Sequence, residues 1–267
     1  MGEVVIAIVL GVIQGVAEFL PISSSGHLRV IQDLFGWTDE FGLAFDTLVH
    51  VATLLAVVVY FRTDLWHMLS SAFSRAPERA HDRRLAWLIV IATIPTGLIG
   101  LVGGDWFEAV PTLYVGIAFL CTSLFLTAAD RLSARSLHDP AHLQWWRAIF
   151  IGIAQGVAIM PGISRAGATM AAGLGMGLDR EQAARFSFLL STPIILLAGA
   201  KQAVDVLSQG AALPGAAALI AGFVFASLTG YLAIAVLMSF IKRHSFAVFA
   251  IYTALLGISV IVWQVAG

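Results

Sequence analysis

Apolar residues in this chain come in blocks rather than in alternation. Windows of Leu, Ile, Val and Ala, bounded by charge or by Pro and Gly, mark complete spans at about 45–62, 86–103, 111–130, 184–200, 215–240 and 246–266. A roughly 30 Å hydrocarbon layer takes about 20 helical residues to cross, and blocks instead of an inside-outside dyad predict helices, not a β-barrel. Two further apolar segments, about 3–35 and 146–178, are broken near the middle by "LPISSSG" and "MPGISRAG". Pro, Gly and hydroxyls at membrane depth are tolerated only where the backbone is buried in protein or lines a wet cavity. These two segments therefore predict re-entrant helical hairpins.

Composition agrees. Hydrophobic residues make up 59% of the chain and charged residues 12%, against about 25% charged in soluble domains, and the mean hydropathy is +0.91. The reading is an all-α integral membrane protein, one membrane domain over 1–267, with no nucleic-acid partner. Cys121 is the single cysteine, which excludes a disulfide framework and a thiolate metal site. "MGEVVIAIVL" has no basic n-region, so the first segment is expected to remain in the mature protein.

Orientation follows from Lys and Arg. Arg62, Arg75, Arg79, Arg83 and Arg84 crowd the 62–86 loop, Arg131, Arg135 and Arg147 follow the third span, Arg180 and Arg185 precede the fourth, and Lys242 and Arg243 separate the last two. Alternating spans put all twelve of the fifteen basic residues named here on one side, which predicts that side to be cytoplasmic. Both termini, the "GGDWFEAVP" loop and the loop around Lys201 and Asp205 then lie outside.

"GVIQGVAEFLPISSSG", from Gly11, aligns with "GIAQGVAIMPGISRAG", from Gly152, at a constant offset of 141, with eight of sixteen positions identical. An odd number of spans separates the copies, so the second enters from the opposite face. This predicts an inverted-topology repeat, the first about 1–135 and the second about 142–267, with six transmembrane helices and two hairpins. Small-residue spacing alone is common wherever membrane helices pack, but packing does not require a Gln and an Ile-Ser-x-x-Gly loop in both copies. Broken helices in matched positions point to a site where the two loops meet.

In the first loop Gln14 and Glu18 share a helical face, and Ser23, Ser24, Ser25, Gly26 and His27 follow on the turn. In the second, Gly162, Ser164, Arg165 and Thr169 occupy the equivalent turn. Serines and glycine opening a helix make an anion nest at its positive end, and Arg adds a fork suited to phosphate. A phosphate or pyrophosphate is the expected anion. Glu18 beside it calls for a divalent cation between them, and His27 offers a base or nucleophile. Any single Ser here is better explained by backbone bonding and helix packing than by catalysis, and His27 alone could be an interfacial histidine. For Glu18 and Arg165 the structural explanation is weak, because ionisable groups at membrane depth are costly. Asp46 and His50 stay open, and the seven Trp residues lie near span ends as interfacial anchors.

"QGVAEFLPISSSGH" together with "PGISRAGAT" resembles the undecaprenyl pyrophosphate phosphatase family, the bacitracin-resistance type of polyprenyl diphosphatase. The resemblance extends over "FDTLVHVATLLAVVVYF" and "AARFSFLLSTPII", and so over nearly the whole chain. The chain departs from the family pattern at Ala166, where a second Ser is usual, and carries Gln14 where the pattern allows Glu or Gln. The resemblance implies hydrolysis of undecaprenyl diphosphate to the monophosphate and phosphate, which recycles the lipid carrier for peptidoglycan and other envelope polymers and confers bacitracin resistance. It implies catalytic roles for Glu18, Ser24, His27 and Arg165, with the nucleophile either Ser24 or His27. Ser23, Ser25, Gly26, Gly162, Ser164 and Thr169 would surround the diphosphate, and Glu18 with Gln14 would face a divalent cation, Mg²⁺ or Ca²⁺. The partners implied are the polyprenyl diphosphate and membrane lipid, with a homodimer allowed, in the bacterial plasma (inner) membrane with the site opening to its outer, periplasmic face. No Lys-x₆-Arg-Pro signature of the other lipid phosphatase superfamily occurs. The rival reading is a lipid-phosphate transporter, since broken inverted repeats also build carriers.

Overall fold

A computed structural model describes residues 2–37, 41–132, 139–209 and 214–266. The described residues form α1 (Glu3–Phe19), α2 (Ser24–Phe35), α3 (Leu43–Tyr60), α4 (Arg62–Ser71), α5 (Ala80–Glu108), α6 (Thr112–Leu132), α7 (Trp145–Val157), α8 (Arg165–Gly175), α9 (Arg180–Gln209), α10 (Ala216–Phe240) and α11 (Ala247–Ala266). Short 3-10 turns at Pro77–Arg79 and Pro140–His142 precede α5 and α7. Arg135, counted above with the basic loops, lies outside the described residues.

Five helices are long and apolar enough to cross a membrane, and α3 with α4 brings the number to six if that pair, bent by 81°, is counted as one span. This, with the family match reported below, makes the chain a multi-pass membrane protein. The sequence pattern did not separate α4 from the loop, because its run "RTDLWHMLSS" is mixed in polarity. Large apolar side chains such as Leu101, Leu196, Leu232 and Leu255 stay exposed on the outside of the bundle, as a lipid-facing surface requires.

The two short pairs α1–α2 and α7–α8 are hairpins whose ends return to where they began. At one end of the bundle Glu3 Oε1 accepts from Gly215 N at 2.7 Å, and the Thr112 hydroxyl donates to Asp33, which ties the start of α1 and the end of α2 to the starts of α10 and α6. At the other end Arg147 donates to Met176 O at 2.8 Å, joining the start of α7 to the end of α8. There too Arg180 meets Asp130 at 3.0 Å and Lys242 meets Glu181 at 3.0 Å, so the ends carrying most of the basic residues gather together.

The first hairpin breaks at Leu20, which precedes Pro21, since proline disfavours helix at the residue before it; in the second, α7 ends at Val157, just ahead of Pro161. The second helix restarts on a serine cap: Ser23 Oγ accepts from Gly26 N at 3.4 Å, and Ser164 Oγ from Gly167 N at 3.0 Å.

The repeated glycines are packing positions. A Cβ on Gly15 would sit 2.1 Å from Thr229 Oγ1 and one on Gly11 would sit 2.5 Å from Gly222 O, so α1 lies directly on α10; a Cβ on Gly152 would meet Ala92 O at 2.0 Å, so α7 lies as closely on α5. In lipid, where apolar burial drives helix association little, such close backbone approach is what holds helices together.

Candidate functional site

The tips of the hairpins touch. Ser23 Oγ accepts from Gly162 N at 3.1 Å and donates to Ile163 O at 3.4 Å. Gly26 and Gly162 are so close that a Cβ on Gly26 would lie 2.9 Å from Gly162 Cα. Gly162 takes φ +95°, and a Cβ there would meet Val115 O at 2.5 Å, so glycine is required for both shape and space. Ser23 is itself strained, at φ +70°, and is held there by these contacts and by His27, whose backbone N (3.2 Å) and Nδ1 (2.7 Å) both approach Ser23 O.

Beside this junction lies a cavity of about 720 Å³. Its polar wall includes Glu18, Ser24 and Ser25 from the first hairpin and Ser164 and Arg165 from the second, with Asp46 and His50 of α3. Its apolar wall carries Ile194, Ile195 and Ala198 of α9 and Phe107 of α5, so a charged head and an apolar chain are both accommodated.

Glu18 is the centre of the polar wall. Oε1 accepts from Arg165 Nη2 at 2.5 Å; Oε2 accepts from Gln14 Nε2 at 3.0 Å and from the Ser24 hydroxyl. Glu18 is only 6% exposed, and an unpaired carboxylate at that depth would cost about 2.5–3.5 kcal/mol or more. Three donors, one of them a guanidinium, offset that cost. Ser24 is thus bonded to the group able to take its proton.

The lining carries Glu18 and Asp46 against Arg29 and Arg165, so formal charges cancel apart from His50. The N-termini of α2 and α8, whose first residues Ser24 and Arg165 line the cavity, each add roughly half a positive charge. The cavity favours an anion, yet falls short of neutralising one with two or more charges.

The structure brings Glu18, Ser24 and Arg165 into contact and puts Ser23, Ser25 and Ser164 on the cavity wall. Other expected residues face elsewhere. His27 does not line the cavity: Nε2 is 2.7 Å from the Tyr252 hydroxyl, the rings of the two residues stack with centroids 5.7 Å apart, and Phe119 meets the imidazole edge-on. His27, which the resemblance implies as the alternative nucleophile to Ser24, is placed by this geometry as a brace on the first turn of α2. Thr169 donates to Arg165 O at 2.7 Å and lies 2.5 Å from the Ser187 hydroxyl, so it fixes α8 on α9 rather than facing substrate. Gly26 and Gly162 shape the turns. Gln14 presents its NH₂ to Glu18, which makes it a support for the carboxylate rather than a ligand as oriented.

Three lining residues were not selected from sequence. Arg29 is one turn beyond Ser25 on α2, and Asp46 and His50, left open above, face the cavity from α3. Their i,i+4 spacing at the start of an apolar helix was the available signal. Gln155, the repeat partner of Gln14, also lines the cavity, with Nε2 3.1 Å from Thr96 Oγ1.

Among the described residues no three His, Cys, Asp or Glu side chains form a group able to hold a metal ion. Two come close: His50 Nε2 lies 3.7 Å from Glu18 Oε2. Donors at about 2.1 Å from one ion are about 3.0 Å apart at right angles and about 4.2 Å apart when opposite. The pair therefore fits a cation whose remaining positions are filled by water and phosphate.

A family model described as bacitracin resistance protein BacA matches residues 7–259. The chain is 41% identical over 280 residues to an undecaprenyl-diphosphatase of Methanosphaera stadtmanae, covering 99% of each chain. It is 43% identical over 259 residues to one of Rubrobacter xylanophilus, with 94% of this chain and 95% of the relative covered. With one of Gemmatimonas aurantiaca it shares 44% identity over 262 residues, 95% of each.

Proposed function

This chain belongs to the bacitracin resistance protein BacA family, and on that premise we propose that it is a hydrolase that converts undecaprenyl diphosphate to undecaprenyl phosphate and inorganic phosphate. That reaction returns the lipid carrier to envelope synthesis and underlies bacitracin resistance. The observation that carries the reading is the contact of Ser24 and Arg165, from opposite hairpins, with one buried carboxylate, Glu18.

In this reading the terminal phosphate lies against the N-termini of α2 and α8, with the prenyl chain along the Ile194 and Ile195 wall. Ser24 Oγ attacks the terminal phosphorus as its proton passes to Glu18. The bond from that phosphorus to the bridging oxygen breaks, and Glu18 gives the proton to the departing lipid phosphate. Water then attacks the phosphoserine, yielding a proton to Glu18 that returns to Ser24 Oγ as phosphate leaves. Arg165 follows the charge on the transferred group, an arrangement in which preorganised donors account for most of the rate. A divalent cation, Mg²⁺ or Ca²⁺, would be held by Glu18 and phosphate oxygens, and when bound it supplies the charge neutralisation that the lining lacks.

We place the protein in the plasma membrane with the cavity open to the outer face. Gly42, Gly104, Phe107 and Gln202 line the cavity and lie toward the bundle end opposite the basic loops, which the positive-inside rule assigns to the cytoplasm. Hairpins that start from opposite ends, and the exchange in which α1 packs on α10 while α7 packs on α5, support the inverted repeat.

The test is phosphate release from undecaprenyl diphosphate by the purified protein in detergent. One phosphate per lipid, with the monophosphate left intact, is expected. No release, together with movement of a lipid phosphate across sealed vesicles, would instead identify a carrier.

A further inference from the structure

Resting on that reading, in which a divalent cation takes part, we propose that His50 is a ligand of this cation and pairs a nitrogen donor with the carboxylate of Glu18. The ring of His50 is oriented by its own helix. Nδ1 lies 2.7 Å from Asp46 O, and a carbonyl only accepts, so Nδ1 carries a proton, which leaves Nε2 as the nitrogen through which the neutral ring can bind a metal. A ring N–H on a backbone carbonyl is the usual outer support of a metal-bound histidine.

Nε2 points at Glu18 Oε2 from 3.7 Å, side chains 31% and 5% exposed. That is too long for a hydrogen bond, so no direct bond joins the two groups. A cation can bridge them, at a separation one coordination shell allows. Both residues line the cavity, so the ion's open positions face the space where the diphosphate would sit. Imidazole suits Zn²⁺, Fe²⁺ and Ni²⁺, and Ca²⁺ takes oxygen ligands; a nitrogen donor should therefore favour a first-row transition metal over Ca²⁺, with Mn²⁺ the weakest binder of that series and the one that serves as a paramagnetic probe.

The experiment uses Mn²⁺ alone, without substrate, on the full-length protein in detergent. Pulsed electron paramagnetic resonance of bound Mn²⁺ reads a directly coordinated imidazole as a ¹⁴N modulation. The expected result is a ¹⁴N signal in the parent that converts to ¹⁵N when only histidine is ¹⁵N-labelled. It should persist in His27→Gln and vanish in His50→Gln, with Mn²⁺ affinity about tenfold or more weaker in the latter. The labelling arm needs no variant, so it is untouched by misfolding. Mn²⁺ bound without histidine nitrogen coupling, or coupling that survives in a folded His50→Gln variant, overturns the proposal and leaves phosphate release to be judged separately. Coupling in a protein that releases no phosphate upholds the ligand and refutes the enzymatic reading.

Discussion

Arg165, the first residue of α8, meets Glu18, near the end of α1, with Nη2 2.5 Å from Oε1 across 147 residues of sequence. The charge that would hold a diphosphate and the carboxylate that would move a proton are therefore positioned by one another, each from a different hairpin.

Arg165 should matter for turnover more than for binding. Its planar fork can grip a phosphate oxygen while keeping Glu18, whereas Lys offers one point charge. Arg165→Lys is expected to lower kcat by about a hundredfold or more, the scale of losing one preorganised donor, with a smaller change in KM. Arg165→Ala should be essentially inactive. Steady-state kinetics at saturating divalent cation check this, and a near-normal kcat in the Lys variant would mean that only net charge counts.

Ser24 and Ser25 are neighbours on the cavity wall, but the bond to Glu18 belongs to Ser24. Ser24→Ala should therefore reduce kcat by at least about a hundredfold, as expected when a nucleophile or its proton path is lost, whereas Ser25→Ala should stay within about tenfold. Phosphate-release rates of the two variants decide it; equal and mild effects would remove Ser24 from the chemistry.

His27 braces the loop, so its loss should appear as instability. Ser23 O keeps the backbone N of residue 27 and Tyr252 is 43% exposed, so losing the two ring hydrogen bonds costs about 0.5–1.5 kcal/mol each. His27→Ala is expected to lower Tm and activity together, and His27→Gln, whose amide can still reach Ser23 O, to recover part of both. A His27→Gln variant of unchanged Tm that has lost kcat by a hundredfold would return His27 to the reaction.

Much of this architecture was legible in the chain. The apolar blocks marked the spanning helices, and Pro21 and Pro161 marked where the hairpins break, because proline acts locally and leaves its mark in the sequence. Glu18, Ser24 and Arg165 stood out because charge and hydroxyls are costly amid Leu and Val. What the sequence did not carry was direction. His27 and Thr169 lie in the motifs, but which way a side chain faces depends on partners far away in sequence: Tyr252 for His27 and Ser187 for Thr169. His50 was ambiguous for the same reason, since its proximity to Glu18 arises only when α3 packs beside α1. The shared Gly11 and Gly152 speak for close packing as much as for a site, because both are explained by helix contact.

Orientation rests on the basic loops. A cysteine placed at Arg75 or Arg243, with Cys121 replaced by Ser, should be labelled by an impermeant maleimide only after the membrane is opened. One placed at Trp106 should react in intact cells. Labelling of position 75 from outside would invert the topology and move the cavity mouth to the cytoplasmic side.

The central claim is that Glu18 and Arg165 act as a single site assembled from two hairpins. A double-mutant cycle on kcat/KM for phosphate release, built from Glu18→Gln, Arg165→Lys and the double variant, tests it most directly. Residues that act as a unit are strongly non-additive, so the double variant should be no more than about tenfold slower than the slower single. Losses that multiply, each residue contributing as though the other were absent, would contradict the account.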